Sequence, residues 1–400
     1  MQLVAYGAQD VYLTNKPEVT FFKIVHRRHT NFAMESIEQT FNGSVDFGRK
    51  VSCLVSRNGD LITKCLLEVT LPALTNTGKT VAWTRNIGHV LIDYVTIEIG
   101  GQEIDKHYGD WLTIWNELTR TAGHEEGFSV MIGNTAQLTT QAETIPASTV
   151  YVPLQFWFCR NPGLALPLVA LQYHEVKFSI SFRPASQCYI TSDGAALTTT
   201  PVISNASLFV TYIFLDADER KQMAQAQHEY LVEQLQFNSD ESFSNSAYKS
   251  KLNFNHPCKE IVWVAQLDSN TLNGANRWSD YTTSGTTSSA FYNGGDSVVD
   301  AKLQLNGHDR FATRKGRYFN LVQPFEHHTR CPSTGIYVYS FALNPEDHQP
   351  SGSINMSRID TCNLLLNLST GTSAGKVRVY AVNYNILRIV AGMGGLAYSN

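Results

Sequence analysis

The sequence predicts an all-β protein made of two consecutive, similar sandwiches. Short apolar segments recur along the whole chain, with turn residues between them, as is typical of sandwiches. The composition favours strands, because 18 Tyr and 20 Phe accompany many β-branched residues. A chain of 400 residues exceeds what one core usually serves, which indicates two domains of roughly 150–200 residues each.

The first predicted unit consists of strands separated by clear turn signals. Asn58-Gly59 is a strong hairpin signal. Pro72 and Pro184 each end a strand, because proline has no amide hydrogen to donate to a ladder. In the segment 90–99, Leu91, Val95, Ile97 and Ile99 lie on one face, which indicates packing against a second sheet. The strands predicted for this unit are 51–56, 61–71, 90–99, 150–159, 171–182 and 207–215.

Two helices are predicted. In the first, Asp110–Thr121, the aspartate is placed to cap the N-terminus. Its residues Leu112, Trp115 and Leu118 share one face. The second helix, Asp216–Gln227, opens with an aspartate followed three residues later by a glutamate, which is a capping box. Its polar composition favours a link between the two units.

The second predicted unit contains its own set of strands. They are 230–237, 250–254, 260–267, 298–305, 318–323, 336–343, 364–368 and 377–389. The loop 268–296 is rich in Ser, Thr, Gly and Asn but also contains Trp278, Tyr281, Phe291 and Tyr292. A loop of this length is usually functional or mobile, and its aromatic residues indicate that neighbouring elements order it.

A faint duplication relates the two units. The segment Ile97–Gly101 resembles Gln304–Gly307, and the apolar closing strand Leu208–Leu215 resembles Val377–Leu387. One very large sheet would leave long exposed edges, whereas double-sheet jelly rolls limit them. We therefore predict two consecutive eight-stranded antiparallel jelly rolls with a few short helices. The predicted division is an N-terminal arm and lead-in (1–30), the first jelly roll (31–215), a linker helix (216–228) and the second jelly roll (229–400).

Charge and cysteine content narrow the class of protein. A net charge of −4 does not favour a nucleic-acid protein, which more often carries a basic excess. The seven cysteines are scattered without a C-x-x-C pair, so we expect free thiols in a reducing compartment. The first residues lack the pattern of a signal peptide, and no segment approaches the roughly 20 apolar residues of a membrane span. We expect a soluble protein made in the cytosol.

Candidate sites for chemistry are weak. His26 and His29 have helical spacing but lack the acidic partner of a zinc motif. The adjacent residues His327 and His328 follow Glu326, but neighbouring side chains on a strand point to opposite faces, so surface or inter-subunit contacts are the simpler interpretation. Nucleophile and phosphate-binding motifs are missing from the sequence. We predict no catalytic residues, no metal site and no cofactor.

Several blocks of the sequence resemble one known family. PEDHQPSG followed by SxNxSRID, at 345–360, resembles the second-domain motif of the major capsid proteins of nucleocytoplasmic large DNA viruses. Further blocks resemble the same family in order along the chain: 2–10, 21–41, 171–177 (LQYHEVK) and 392–400 (GMGGLAYSN). The resemblance implies a double jelly roll that assembles as a homotrimeric, pseudo-hexagonal capsomer in an icosahedral shell.

The resemblance also implies partners and a location. The partners would be further copies of the chain, neighbouring capsomers, minor capsid and penton proteins, and no specific nucleic acid. The loops 128–149, 186–206 and 268–296 would form the outer surface. Residues 1–30 would lie on the inner side, near the viral membrane. The protein would be made and assembled in the host cytoplasm and located in the virion, with its glycosylation unknown.

Some features keep alternatives open. The arm carries a small basic cluster, which suits either a solvated segment or a contact with a partner protein or an anionic membrane: Lys23, His26, Arg27, Arg28 and His29. The alternative from a different functional class is a carbohydrate-binding β-sandwich, because Trp278, Tyr281 and Tyr292 could stack on sugars. Among structural proteins, the alternative to a major capsid protein is a minor capsid or penton protein, although such proteins usually carry one jelly roll.

Overall fold

The chain folds into two sandwiches that follow each other in sequence. A computed structural model describes residues 4–272, 274–283, 294–369 and 374–399. Gln2, Leu3, Phe291, Tyr292 and Asn400, which entered the sequence-based predictions, lie outside the described residues.

The first sandwich consists of two antiparallel sheets. One sheet has the order β1-β13-β3-β10, with β9 also pairing with β3, and the other has the order β2-β11-β6-β7. Two small sheets, β4-β8 and β5-β12, lie beside them. The strand bounds are β1 (Phe32–Gln39), β2 (Lys50–Leu54), β3 (Leu61–Leu71), β4 (Leu74–Thr75), β5 (Val81–Trp83), β6 (Ile92–Ile99), β7 (Gln102–Tyr108), β8 (Thr144–Ile145), β9 (Ser148–Pro153), β10 (Leu166–Pro167), β11 (Val176–Phe182), β12 (Tyr189–Thr191) and β13 (Asn205–Leu215).

The second sandwich repeats this plan. One sheet has the order β14-β24-β17-β21, with β15, β22 and β25 at its margins, and the other has the order β16-β23-β18-β19, with β20 pairing with β18. The strand bounds are β14 (His228–Phe237), β15 (Glu241–Phe243), β16 (Ala247–Leu252), β17 (Pro257–Leu267), β18 (Val298–Leu305), β19 (His308–Asp309), β20 (Arg314–Lys315), β21 (Ile336–Ser340), β22 (Ile354–Asn355), β23 (Cys362–Leu368), β24 (Gly375–Val390) and β25 (Met393–Leu396).

The two sandwiches share one topology. In each, the first long strand pairs with the last, as Phe32 with Leu215 and His228 with Ile389. The last strand then pairs with the third long strand of its unit. This order is that of an antiparallel jelly roll, because the chain returns to its first strand at the end. The predicted fold class, two consecutive jelly rolls, is confirmed.

Short helices occupy the connections. They are α1 (Val11–Thr14), α2 (Ile87–Val90), α3 (Gly109–Thr119), α4 (Glu125–Met131), α5 (Ala136–Thr139), α6 (Trp157–Arg160), α7 (Ala217–Gln225), α8 (Asp268–Thr271) and α9 (Gln323–His327), with a π-helix at Tyr318–Val322 that runs into α9. Single 3₁₀ turns lie at Ala8–Asp10, Ala122–His124, Pro162–Leu164, Ala185–Gln187 and Met356–Arg358. Among the described residues, no helix is both long enough and apolar enough to cross a bilayer.

Each jelly roll has its own core, built by the period-two alternation of its strands. In β3, Cys65, Leu67 and Val69 are at most 2% exposed and face the first core. In β17, Ile261 and Trp263 face the second core. All seven cysteines are free thiols, as the sequence predicted.

Some local predictions are wrong: the strand predicted at 150–159 ends at Pro153, and α6 begins at Trp157. Asp110 does not cap α3, since the residue at the cap position is Tyr108 and Asp110 lies in the first turn. The predicted strand 318–323 is helical. Phe319 is buried and Leu321 is exposed, whereas on a strand two residues at this spacing would lie on the same face. Asp216 does cap α7, accepting a hydrogen bond at 3.0 Å from the backbone N–H of Glu219.

Candidate functional site at the junction of the jelly rolls

Helix α3 of the first jelly roll packs on the second one. Trp111, Ile114, Trp115 and Leu118 join a buried apolar cluster with strands β17, β21 and β24. The rings of Trp111 and Tyr380 lie 5.4 Å apart, centroid to centroid. The helix therefore has two apolar sides, one for its own sandwich and one for the next. The sequence-predicted face of Leu112, Trp115 and Leu118 is divided between these two sides, because Leu112 faces the first core.

A buried ion cluster lies at the start of α3. The Asp110 carboxylate accepts from Arg378 Nη1 at 2.6 Å and lies 3.3 Å from Arg183 Nη2. Arg378, on β24, also pairs with Asp240 at 2.9 Å. Burial alone would lower the pKa of Arg378, but the charge of Asp110 raises it above its ordinary value. Asp110 thus joins the two jelly rolls electrostatically, a role that its position in the sequence did not reveal.

The loop after α8 is fastened to the first jelly roll. Trp278 Nε1 donates to the Gln187 carbonyl at 2.8 Å, and the Arg183 guanidinium lies 4.1 Å from the centre of the Trp278 ring. Asn276 donates to the Tyr189 carbonyl at 2.7 Å. The prediction that neighbours order this loop fits its described part. Of its described aromatic residues, Trp278 is held by Gln187 and Arg183 and Tyr281 is only 1% exposed, so these two are not presented to a sugar as the carbohydrate-binding alternative requires.

A second ion cluster joins the jelly rolls near α6. Glu233 of β14 pairs with Arg160 at 2.8 Å and with Lys259 at 2.7 Å. The Lys259 side chain is 0% exposed, so its charge depends on this carboxylate for compensation. The Arg160 guanidinium also lies 4.1 Å from the centre of the Trp115 ring. This cluster and the Asp110 cluster each join both jelly rolls, and Trp115 of the apolar seam contacts the one at Glu233.

The polar corner of the PEDHQPSG motif encloses a histidine. His328 lies 2.9 Å from Glu260 and 2.9 Å from Glu346, and its side chain is 0% exposed. Burial alone would lower the pKa of His328, but these two carboxylates raise it to about 9. Burial would raise the pKa of Glu346, and its bonds to His328 and Thr329 lower it instead. The expectation of a surface or inter-subunit histidine is wrong for His328.

These histidines do not converge on one point. His327 Nδ1 lies 2.8 Å from the Leu343 carbonyl oxygen, away from the ion triplet of its neighbour. Within the described ranges, no three His, Cys, Asp or Glu side chains are grouped as a metal site would need. The arrangement at His328 serves to fix the corner onto the buried strand β17.

Two of the family-like blocks meet at the end of the chain. The Tyr173 N–H donates to the Gly392 carbonyl at 3.0 Å, and the Gly394 N–H donates to His174 Nδ1 at 3.1 Å. A side chain at Gly394 would place its Cβ 2.6 Å from Leu171 Cδ2, so the Leu171 side chain would have to shift to admit one. The blocks LQYHEVK and GMGGLAYSN thus form one contact between the C-terminal strand and the first jelly roll.

The N-terminal arm lies outside both sandwiches. In residues 4–30 the apolar side chains point into solvent, with Phe21 90%, Phe22 98% and Ile24 97% exposed. The basic residues Lys23 and Arg27 are exposed beside them. An exposed apolar stretch of this kind marks an interaction site in a folded protein.

Comparisons with known proteins identify the family. Residues 219–395 match the family described as large eukaryotic DNA virus major capsid protein, and residues 20–216 match the major capsid protein N-terminus. The major capsid protein of Pyramimonas orientalis virus is 51% identical over 426 residues, covering 100% of this chain and 99% of the relative. The chain belongs to the family of major capsid proteins of large eukaryotic DNA viruses.

Solved structures agree with this membership. The chain superimposes on the PBCV-1 virus capsid, quasi-atomic model, with a TM-score of 0.82 and 41% identity, covering 95% of this chain and 100% of that one. The Faustovirus major capsid protein shares the fold at 14% identity, with a TM-score of 0.81, covering 96% of this chain and 94% of that one. The major capsid protein of Paramecium bursaria Chlorella virus 1 is 44% identical over 446 residues, covering 100% of this chain and 99% of the relative.

The comparisons confirm the main functional prediction. The chain is a structural major capsid protein of a large DNA virus, and its place is the capsid of the virion. The relatives are named major capsid proteins, which are structural proteins and not enzymes.

Proposed function

We propose that three copies of this capsid protein assemble into a pseudo-hexagonal capsomer that tiles an icosahedral shell. The observation that carries the proposal is the repetition of one sheet order in two jelly rolls that are joined by a buried seam. Two similar units per chain can occupy two of the six corners of a hexagon. Three chains around a threefold axis then complete it, through head-to-tail contacts that close after three steps.

The junction supports the proposal because it fixes the angle between the two corners. The apolar cluster under α3 and the ion clusters at Asp110 and Glu233 lie along this seam. We propose the corresponding division of the chain into an arm (1–30), a first jelly roll (31–215), a linker helix (216–228) and a second jelly roll (229–400). Neighbouring capsomers would contact the outside of this tile.

The remaining partners and sites are also proposals. Minor capsid and penton proteins would bind the capsomer, and the exposed arm would contact them or the inner viral membrane. Assembly would take place in the host cytoplasm. No catalytic, metal or cofactor site and no specific nucleic acid enters this function.

Light scattering after size-exclusion chromatography tests the trimer. The proposal predicts a mass near three times the 44.6 kDa of one chain. A well-folded species of one chain at micromolar concentration would overturn it. For the arm, the test is flotation with vesicles containing anionic lipid. The full chain should float with them, whereas a variant with Asp in place of Phe21, Phe22 and Ile24 should not, and equal flotation of both would remove the membrane role.

A further inference from the structure

A helical segment occupies the same place in both jelly rolls. In the first, α3 follows β7, the edge strand that pairs with β6, and precedes β9, with the short helices α4 and α5 and the small strand β8 between them. In the second, the helical segment Tyr318–His327 follows β19 and β20, which pair with β18, and precedes β21. Because the two sheet orders are equivalent, α3 and 318–327 are equivalent elements.

The two segments also present side chains in the same pattern. In α3, Leu112 faces its own core, while Ile114, Trp115 and Leu118 face the neighbouring jelly roll. In the second segment, Phe319 faces its own core. The remaining apolar residues of that segment then follow at the same i, i+1, i+4 spacing as in α3: Leu321, Val322 and Phe325.

The difference lies in what covers these residues. Ile114 and Leu118 are 0% exposed under the second jelly roll. Leu321 is 45%, Val322 40% and Phe325 80% exposed. We call these three residues the docking face. A helix face built like α3 but left in solvent has the composition of an interface rather than of a solvated surface.

A matching surface exists on the first jelly roll. In the second jelly roll, α3 packs on the cross-strand row Tyr380–Val262–Val338 of strands β24, β17 and β21. The equivalent strands β13, β3 and β9 carry the row Phe209–Leu66–Pro153. The sequence neighbours of each of these residues face the first core, so the row faces outward. Its residues are only partly buried.

We propose that the docking face of one chain binds the outward row Phe209–Leu66–Pro153 on a second copy of the chain. The contact repeats between chains the junction that α3 makes within the chain. The inference rests on the proposed trimer and specifies which surfaces join one chain of that trimer to the next. The occupant is another copy because the chain itself carries both halves of the contact, on jelly rolls that its internal junction holds side by side.

The substitution Phe325→Asp tests the inference, because it places a charge in the docking face at a position that is 80% exposed and therefore compatible with folding. We expect the mass by light scattering to fall from that of three chains to that of one, with an unchanged circular dichroism spectrum. Phe325→Leu should keep the trimer. Val202→Asp, at a 56% exposed position in the loop before β13 and in neither the docking face nor the row, is the matched control and should also keep it.

A second variant tests the other side of the contact. Tyr151 lies on β9, on the same face as Pro153, and is 36% exposed, so Tyr151→Asp should also yield single chains. If the wild type is a trimer and both variants remain trimers, the inferred contact is wrong while the proposed function stands. If the wild type is a single chain, the proposed function itself fails. If Phe325→Asp does not fold, Tyr151→Asp alone decides.

Discussion

Replacing Asp110 by Asn should weaken the junction between the two jelly rolls more than any exposed substitution. The carboxylate compensates Arg378 at 2.6 Å and Arg183 at 3.3 Å. Asn has nearly the same shape, so packing is kept and only the charge is removed. Both guanidinium groups then stay buried with less compensation.

The magnitude follows from burial. The side chains of Asp110 and Arg378 are 9% and 8% exposed, so solvent hardly screens their interaction. Removing one partner of a buried ion pair costs about 3–5 kcal/mol. Arg378 keeps its pair with the half-exposed Asp240, which places the expected loss near the lower end, about 3 kcal/mol. For a unit of this size such a loss lowers the melting temperature by roughly 6–12 °C.

Urea unfolding, followed by tryptophan fluorescence, measures the loss. Trp111 and Trp115 lie in the junction and report on it directly. Wild type and variant are compared at one chain concentration, because self-association stabilises the folded state by mass action. Asp93→Asn is the matched control, since Asp93 is an exposed carboxylate on the same jelly roll. A loss below about 1 kcal/mol, equal to that of a surface substitution, would refute the electrostatic account of the junction.

Two further predictions concern the corner and the linker. The folded pKa of His328, about 9, is raised, so its protonated form contributes about 3 kcal/mol that is complete below pH 6.5 and is lost as the pH rises to 9. The free energy of unfolding, measured in urea at pH 6 and pH 9.5, should fall by this amount in the wild type and not in His328→Gln. If it changes equally with pH in both proteins, the contribution of His328 is excluded. Asp216→Ala should destabilise by about 1 kcal/mol through the lost cap, whereas Asp218→Ala should not. An unchanged melting temperature for Asp216→Ala would mean that the cap contributes nothing.

The fold could be predicted where short stretches of sequence indicate the local structure. Turn residues and alternation located most strands, and the apolar closing strands revealed the duplication. The segment 318–323 was misassigned because a short apolar run has no clear period. Its helical form is visible only in the folded chain, where Phe319 is buried in the second core and Leu321 is exposed.

The junction could be predicted only in part. The apolar face of α3 was visible in the sequence, but which residues faced the second jelly roll was not. Asp110 and Arg378 are 268 residues apart, and a cap-like position offered a simpler local role for the aspartate. A signal was nevertheless present: Lys259-Glu260 and Arg378 are charges within apolar strands, and such charges are rarely buried unless they are paired.

The central claim is that each chain supplies two equivalent corners of a closed tile. Cryo-electron microscopy of the purified protein tests it most directly. The account predicts particles with six sandwich-like lobes around a threefold axis, and the segment 318–327 of each chain against the first jelly roll of the next. Single two-lobed particles, or rings of another order, would contradict it.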